Sequence, residues 1–397
     1  MTKALSGIRV LDLSRVLAGP WCTQMLGDLG AEIIKIEQPG KGDDTRSWGP
    51  PWHGEGEDRL SAYYLAANRN KKSVAIDISK PEGQALIREL ALKCDVLVEN
   101  FKVGGLEKYG LDYPTLQQLN PRLVYCSITG FGHTGPRAHQ PGYDLMVQGL
   151  SGLMSITGQP EGEPQKVGVA LVDVMTGLHA AIAVLAALNQ RHETGRGQFI
   201  DMALLDVAVS TLANIGLNQR VTGVAPKRMG NAHPSVVPYQ VFETADGHMI
   251  VAVGNDSQFA HFVGALGLAA LTKDPLYATN AARVENRGTL IPQLADVMRT
   301  QPTRHWDAAL TAVNVPAGPI NDIGQAFADP QSVARGLATM AGDRPAVASP
   351  LRLSDSMPDA GTAPPLLGEN SADVLAALLG HDAQEIAALI AKGVVQG

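Results

Sequence analysis

The chain is short of several features, and each shortage narrows what it can be. Its 397 residues hold three cysteines, Cys22, Cys94 and Cys126, far apart and without a CxxC pair. An odd number of scattered thiols makes no disulfide framework and fits a reducing compartment, so a cytoplasmic location is expected. Aromatic residues are 5% and charged residues 18%, with 32 Lys and Arg against 39 Asp and Glu, a net charge of −7. With no run of Lys and Arg, a nucleic-acid footprint is not expected. Ten histidines contain no HExxH and no i, i+4 pair, so no metal site is expected. The Gly-rich loop Thr129–Pro136 is not read as a dinucleotide fingerprint, it is not a GxxxxGK[ST] P-loop, and there is no GxSxG elbow. The N-terminal stretch has no apolar core of signal-peptide length before its first strand-like run.

What is present points to an α/β enzyme. Apolar residues are 45%, with 42 Gly and 25 Pro, and the length suits two or three domains of about 150 residues. Apolar runs at Ile8–Leu13, Ile33–Ile36, Ser73–Ile78, Val96–Val98 and Leu123–Ile128 read as strands. Between them, 21–29 and 81–92 read as helices, the first preceded by a Gly19-Pro20 turn and stopped at Gly30. That rhythm predicts a parallel sheet with right-handed crossovers, with ligands bound beyond the carboxyl ends of the strands. Asp246-Gly247 between β-rich runs predicts a hairpin, Pro and Gly between 341 and 365 predict a linker, and 371–392 reads as two short helices. The stretch Val167–Leu188 is long enough to cross a membrane, but Asp173, Thr176, Gly177 and His179 interrupt it. It reads as a buried helix with a polar start, and no membrane partner is expected.

Two polar features carry candidate chemistry. Asp173 stands before a helix expected over 174–191. It suits a helix N-cap, and it equally suits a carboxylate in a dry pocket, where nucleophilicity rises. The cluster Asn68-Arg69-Asn70-Lys71-Lys72 is a solvated basic turn or a phosphate-binding edge.

A longer set of motifs, in order along the chain, resembles the class III CoA-transferase family, which includes acyl-CoA racemases. It runs through Gly7-Ile8-Arg9-Val10-Leu11-Asp12, Ala18-Gly19-Pro20, Leu26–Glu37, Gly42–Arg46, Asn70–Ser73, Val98–Phe101, Asp173–Gly177, Thr194–Gln198 and Leu366–Glu369. The resemblance implies that Asp173 is the nucleophile. Its carboxylate would attack a donor acyl-CoA to give a mixed anhydride, pass through an aspartyl-CoA thioester, and hand CoA to an acceptor acid. It implies CoA as substrate rather than a prosthetic group, bound by Leu17, Ala18, Gln38, Asn68, Arg69, Asn70, Lys71, Asn100, Phe101, Lys102, Lys108, Pro141, Gly142, Tyr143 and Asp144. Leu17 and Gln38 replace the Gln and Arg of the formyl-CoA transferases, and the tetraglycine loop of that branch is missing. The runs Ser14–Pro20, Gly42–Pro51 and Asn231–Tyr239 look instead like succinyl-CoA:glutarate transferases. C4–C6 dicarboxylates are then the expected acids, with Arg15, Arg46 and His233 as candidates for a second carboxylate.

A 2-methylacyl-CoA racemase using an aspartate base is the alternative, weakened because Tyr143 replaces the His of that branch's His-Asp pair. A non-catalytic CoA-binding protein is the third reading. The resemblance also implies an interlaced homodimer of α/β chains. Each would have a large Rossmann-like parallel-sheet domain (1–200 with 345–397) and a smaller α+β domain (225–325), joined by linkers at 201–224 and 326–344.

Overall fold

The computed structural model describes residues 3–358 and 360–397, with only the backbone of Glu57. Two compact units divide the chain: 1–153, 167–221 and 330–397 form the first, and 154–166 with 222–329 the second.

The first unit is built on six parallel strands: β1 (Arg9–Asp12), β2 (Glu32–Glu37), β3 (Lys71–Ile76), β4 (Val96–Glu99), β5 (Val124–Thr129) and β6 (Phe199–Ala203). Their order is β3-β2-β1-β4-β5-β6, and Val395–Gln396 adds an antiparallel edge beside β3. This is the doubly wound order, and it reverses direction between β1 and β4. The strands are nearly continuous apolar runs because both faces are covered. Leu11, Ile34, Val74 and Leu97 face one core with Leu86, Ile87 and Leu90 of α2 (Pro81–Leu92) and with Leu375 and Ile386. Val10, Ile33, Val96 and Val124 face the other with Cys22 and Leu26 of α1 (Ala18–Asp28).

On that second face lie Ala180, Val184 and Leu188 of α4 (Leu171–Thr194), the helix that sequence alone made membrane-length. Each buried Leu or Val contributes about 1.5–3 kcal/mol. The helices α1 and α4 cross closely at Gly177, where a Cβ would lie 2.7 Å from the Ala18 carbonyl oxygen and 3.0 Å from Trp21 Cβ. Two further helices, α3 (Asp144–Leu150) and α5 (Leu204–Ser210), complete this side.

The second unit has a three-stranded antiparallel sheet, Tyr239–Glu243, His248–Ala252 and Ala317–Pro319, with His248–Ala252 central. Helices Asp256–Ala265, Arg287–Met298 and Thr303–Ala312 supply Phe259, Leu294, Trp306 and Leu310 to its core. Asp246-Gly247 does turn its hairpin, with the Thr244 amide donating to the Gly247 carbonyl at 2.9 Å.

Several expectations shift in register. The Gly19-Pro20 turn is instead the first turn of α1, where Pro20 forgoes an N–H that has no partner there anyway. Strand β3 begins two residues early, at Lys71, because that charge is paired inside the sheet's end. The stretch expected as a linker at 201–224 holds α5 and the helix Ala213–Thr222. The stretch 326–344 holds Pro330–Ala334 and the hairpin strand Ala338–Ala341.

Candidate functional site

The loops that follow β1, β4 and β5, with the head of α4, enclose a cavity of about 670 Å³ at the point where the strand order reverses. Asp173 lines it. Helix α4 starts at Leu171 with Ala170 before it and no side-chain cap of its own, so Asp173 occupies its third position and is not the N-cap. Asp144 does that work from α3: its Oδ1 accepts the amides of Val172 (2.8 Å) and Asp173 (3.2 Å). Its Oδ2 accepts Gln148 Nε2 at 2.6 Å, and Gln148 Oε1 accepts the Val167 amide at 2.9 Å. Both oxygens of Asp144 are thus committed to holding the segment that carries Asp173. Burial first, and the Asp144 carboxylate second, push the Asp173 carboxyl up to about 7. Among the described residues no side chain donates a hydrogen bond to the Asp173 carboxylate.

The walls gather most of the residues expected at a CoA site. Leu17 and Ala18 lead into α1 on one side, and Pro141, Gly142 and Tyr143 stand on another, Tyr143 being 69% exposed. Gly142 meets Gly130 backbone to backbone: a Cβ on Gly130 would lie 2.5 Å from Gly142 Cα. Asn100 ties two loops together, its Oδ1 accepting the Arg15 amide (2.9 Å) and its Nδ2 donating to the Arg15 carbonyl (2.7 Å). The Phe101 amide donates to Glu99 Oε2 at 2.7 Å. Burial pushes the Glu99 carboxyl up to about 7, against the pull of Ser127 and of that amide. Lys102, Lys108 and Arg15 bring cations to the rim. Arg15 pairs with Asp44 at 2.7 Å and lies 5.8 Å from the Phe101 ring centre.

Two aromatics that sequence did not single out complete the picture. Trp48 lines the cavity and packs edge-on against Tyr63 at 5.1 Å. Burial, then the Asp173 carboxylate, raise the Tyr63 hydroxyl's pKa, which places Tyr63 within electrostatic reach of Asp173. Trp48 falls inside the Gly42–Pro51 run, yet an aromatic after a turn has no signature of its own.

Gln38 lines a second cavity of about 280 Å³ beyond the ends of β2 and β3, together with Asp77, Ile78 and Ser79. Arg15, Phe101 and Tyr109 line both cavities.

The basic cluster after residue 67 lines neither cavity. Asn68 is buried, donating to the Tyr64 carbonyl and accepting Lys71 Nζ. Arg69 makes a two-pronged ion pair with Asp28, at 2.8 and 2.5 Å. Asn70 donates to Asp28 and accepts the Thr362 amide. Lys71 Nζ, wholly enclosed, meets Asp12 Oδ2 at 3.0 Å. Arg46 is clamped by Glu37 at 2.8 and 2.7 Å and lies over the Tyr64 ring at 4.0 Å. His233 belongs to the second unit, where its Nδ1 accepts the Ser235 amide at 3.1 Å.

This arrangement offers an isolated carboxylate, a cavity at the switch point and cations around its mouth. The model of CoA-transferase family III matches residues 5–371. The chain belongs to that family. It is 51% identical over 386 residues to a succinate–glutarate CoA-transferase of Agrobacterium fabrum, covering 94% of this chain and 95% of the relative. It is 44% identical to the human succinyl-CoA:glutarate CoA-transferase, covering 99% and 90%. The crystal structure of a CAIB/BAIF family protein from Brucella suis superposes with a TM-score of 0.86 at 48% identity, covering 95% of this chain and all of that one. A family III transferase is an enzyme that takes acyl-CoA as substrate.

Proposed function

We propose that this CoA-transferase moves CoA from succinyl-CoA to a C4–C6 dicarboxylate such as glutarate, with Asp173 as nucleophile. The observation that carries the reading is Asp173 itself, inside the large cavity without a counterion, where a carboxylate is poorly stabilised and reactive. The names of the Agrobacterium and human relatives support the choice of acids.

The chemistry balances without any group beyond the two substrates. An Asp173 oxygen attacks the thioester carbonyl; the C–S bond breaks, leaving a mixed anhydride and CoA thiolate. The thiolate attacks the aspartyl carbonyl, releasing the donor acid and forming aspartyl-CoA. The acceptor carboxylate attacks that thioester, freeing the thiolate and forming a second anhydride. Return of the thiolate to the acceptor's carbonyl gives the new acyl-CoA and restores Asp173. Each step exchanges one activated acyl group for another, so walls that exclude water matter more than a strong acid or base.

The nucleotide end of CoA is assigned to the smaller cavity beside Gln38 and Ser79. The pantetheine arm would then pass between Arg15 and Phe101, the residues shared by both cavities. Lys102 and Lys108 suit its phosphates, and Arg15 suits the distal carboxylate of the acid. Racemisation is disfavoured because both Asp144 oxygens are spent on the head of α4, leaving Tyr143 as a poor second base.

A homodimer with threaded chains accompanies this reading. Supporting it, Leu145, Ile182 and Val209 are at least half exposed on three helices of the first unit that pack on one another, apolar surface suited to a second copy.

Incubation with succinyl-CoA and a panel of acids, followed by mass spectrometry of the CoA esters, tests the reaction. New dicarboxylyl-CoA esters that vanish in Asp173→Ala are expected. Epimerisation of a 2-methylacyl-CoA without exchange would replace transfer by racemisation.

A further inference from the structure

Four consecutive residues, Arg15, Val16, Leu17 and Ala18, line the Asp173 cavity. An extended chain cannot do this, because neighbouring side chains point to opposite sides. The break is at Val16, whose φ is +72°. A β-branched residue in the left-handed region is a true outlier and persists only where its surroundings hold it. What holds it is visible. The Val16 amide points at the Asp43 carboxylate, 3.2 Å from Oδ1 and 3.3 Å from Oδ2. Asp43 is itself fixed by Lys35 Nζ (2.9 Å), by the Thr45 amide (3.0 Å) and by the Thr45 hydroxyl (2.8 Å). The same Lys35 ammonium donates to the Ser14 carbonyl at 2.9 Å, so one buried cation grips both ends of the turn. Neither Asp43 nor Lys35 lines the Asp173 cavity; both line the smaller cavity beside Gln38, so the variants are read on kcat as well as on KM.

Resting on the transferase reading above, we propose that Asp43 is a positioning residue. With Lys35 behind it, it holds Val16 in a left-handed backbone so that residues 15–18 present one continuous wall to the acyl-CoA at Asp173. Left alone, Val16 returns to the β region. The wall then rotates, and the thioester no longer meets Asp173 in an attacking geometry, which costs turnover before it costs binding.

The test is a set of variants assayed for CoA exchange and for amide hydrogen exchange at residue 16. Val16→Pro forbids a positive φ and removes the N–H while leaving the Lys35–Asp43 pair intact. It should fold, with kcat/KM reduced on the order of 100-fold, mostly through kcat. Asp43→Asn should lose Val16 amide protection and a similar factor in rate. In the Asp43→Asn background, Val16→Gly should recover about ten-fold, because glycine takes a positive φ without being held; its effect is read against Val16→Gly alone. Wild-type rates in Val16→Pro, or a double variant no better than Asp43→Asn, overturn the proposal. If Asp43→Asn fails to fold, Val16→Pro decides it alone. A wild-type protein with no exchange for any acid pair would sink the transferase reading. The loss of Val16 amide protection in Asp43→Asn, present or absent, would still judge the positioning claim.

Discussion

Asp12, the last residue of β1, and Asp173, in the first turn of α4, are the same residue type in two settings, and they behave in opposite ways. Asp12 has no solvent exposure, and burial alone would raise its pKa. Lys71 and then Lys35, with hydrogen bonds from Ser14 and Thr23, bring it instead below the ordinary carboxylate value. Thr23 donates to it at 2.6 Å and Lys71 at 3.0 Å. Asp173 is partly buried, faces a cavity, and has a carboxylate rather than a cation as its charged neighbour. A buried acid with its partners in place is spent on structure; one left with only like charge nearby is held ready for chemistry. The contrast is what distinguishes a site here, since in the sequence both aspartates stand alike between apolar residues.

The largest expected difference is catalytic. Asp173→Asn should lower CoA exchange by about 10⁴-fold or more, the scale at which a nucleophile's removal is felt, with folding intact by circular dichroism. Retention of even a tenth of the activity would move the nucleophile elsewhere. The mirror experiment is Asp12→Ala, which should destabilise by about 3–5 kcal/mol because Lys71 is left buried and unpaired. A urea midpoint equal to that of the wild type would break the assignment of Asp12 to structure.

Titration sharpens the same contrast, with a smaller effect. Asp173 has a folded pKa raised from the ordinary 3.8 to about 7, so over that interval the folded state holds a proton that the unfolded chain has released. Its contribution to stability therefore falls as pH rises from about 4 to 7. Asp173→Asn should melt higher than the wild type at pH 8, and the gap should close toward pH 4. Asp12, with a lowered folded pKa, contributes above the ordinary carboxylate range and loses that contribution as pH falls through the folded value. The rate carries the same signature: kcat/KM should climb with unit slope up to about pH 7 and then level off as Asp173 ionises. A profile flat from pH 5 to 8 would show an ordinary carboxylate at position 173.

Much of this was legible before any coordinates. The strand runs, the hairpin at Asp246-Gly247 and the long helix were each carried by a local pattern that tertiary structure had no reason to override. Asp173 could be singled out because a charge inside an apolar run is costly and needs a purpose. The residues alone left cap and nucleophile open, the resemblance implied the nucleophile, and the capping falls to Asp144, 29 positions upstream of Asp173. The ion pairing of the cluster 68–71 was hidden for the same reason. Its counter-charges, Asp12 and Asp28, lie 59 and 41 positions away from Lys71 and Arg69 and become neighbours only when β1, β3 and α1 assemble. Val16 left no trace at all, because a strained backbone is a property of the fold around it.

The smallest effect separates the spent cations from the available ones. Lys102 and Lys108 stand at the cavity rim, and neither makes an ion pair among the described residues. Arg69 and Lys71 are locked to Asp28 and Asp12. Lys102→Ala and Lys108→Ala should each raise KM for acyl-CoA roughly two- to five-fold, the ~0.5–1 kcal/mol of an exposed charge contact, with kcat and melting temperature little changed. Added salt should shrink the effect, since a rim cation and a phosphate are screened as solvent-exposed charges are. Arg69→Ala should show the inverse pattern, a lowered melting temperature with little change in KM. If KM rose with Arg69→Ala and stayed put with both lysine variants, the phosphates of CoA would have to be assigned to the α1–β3 side after all.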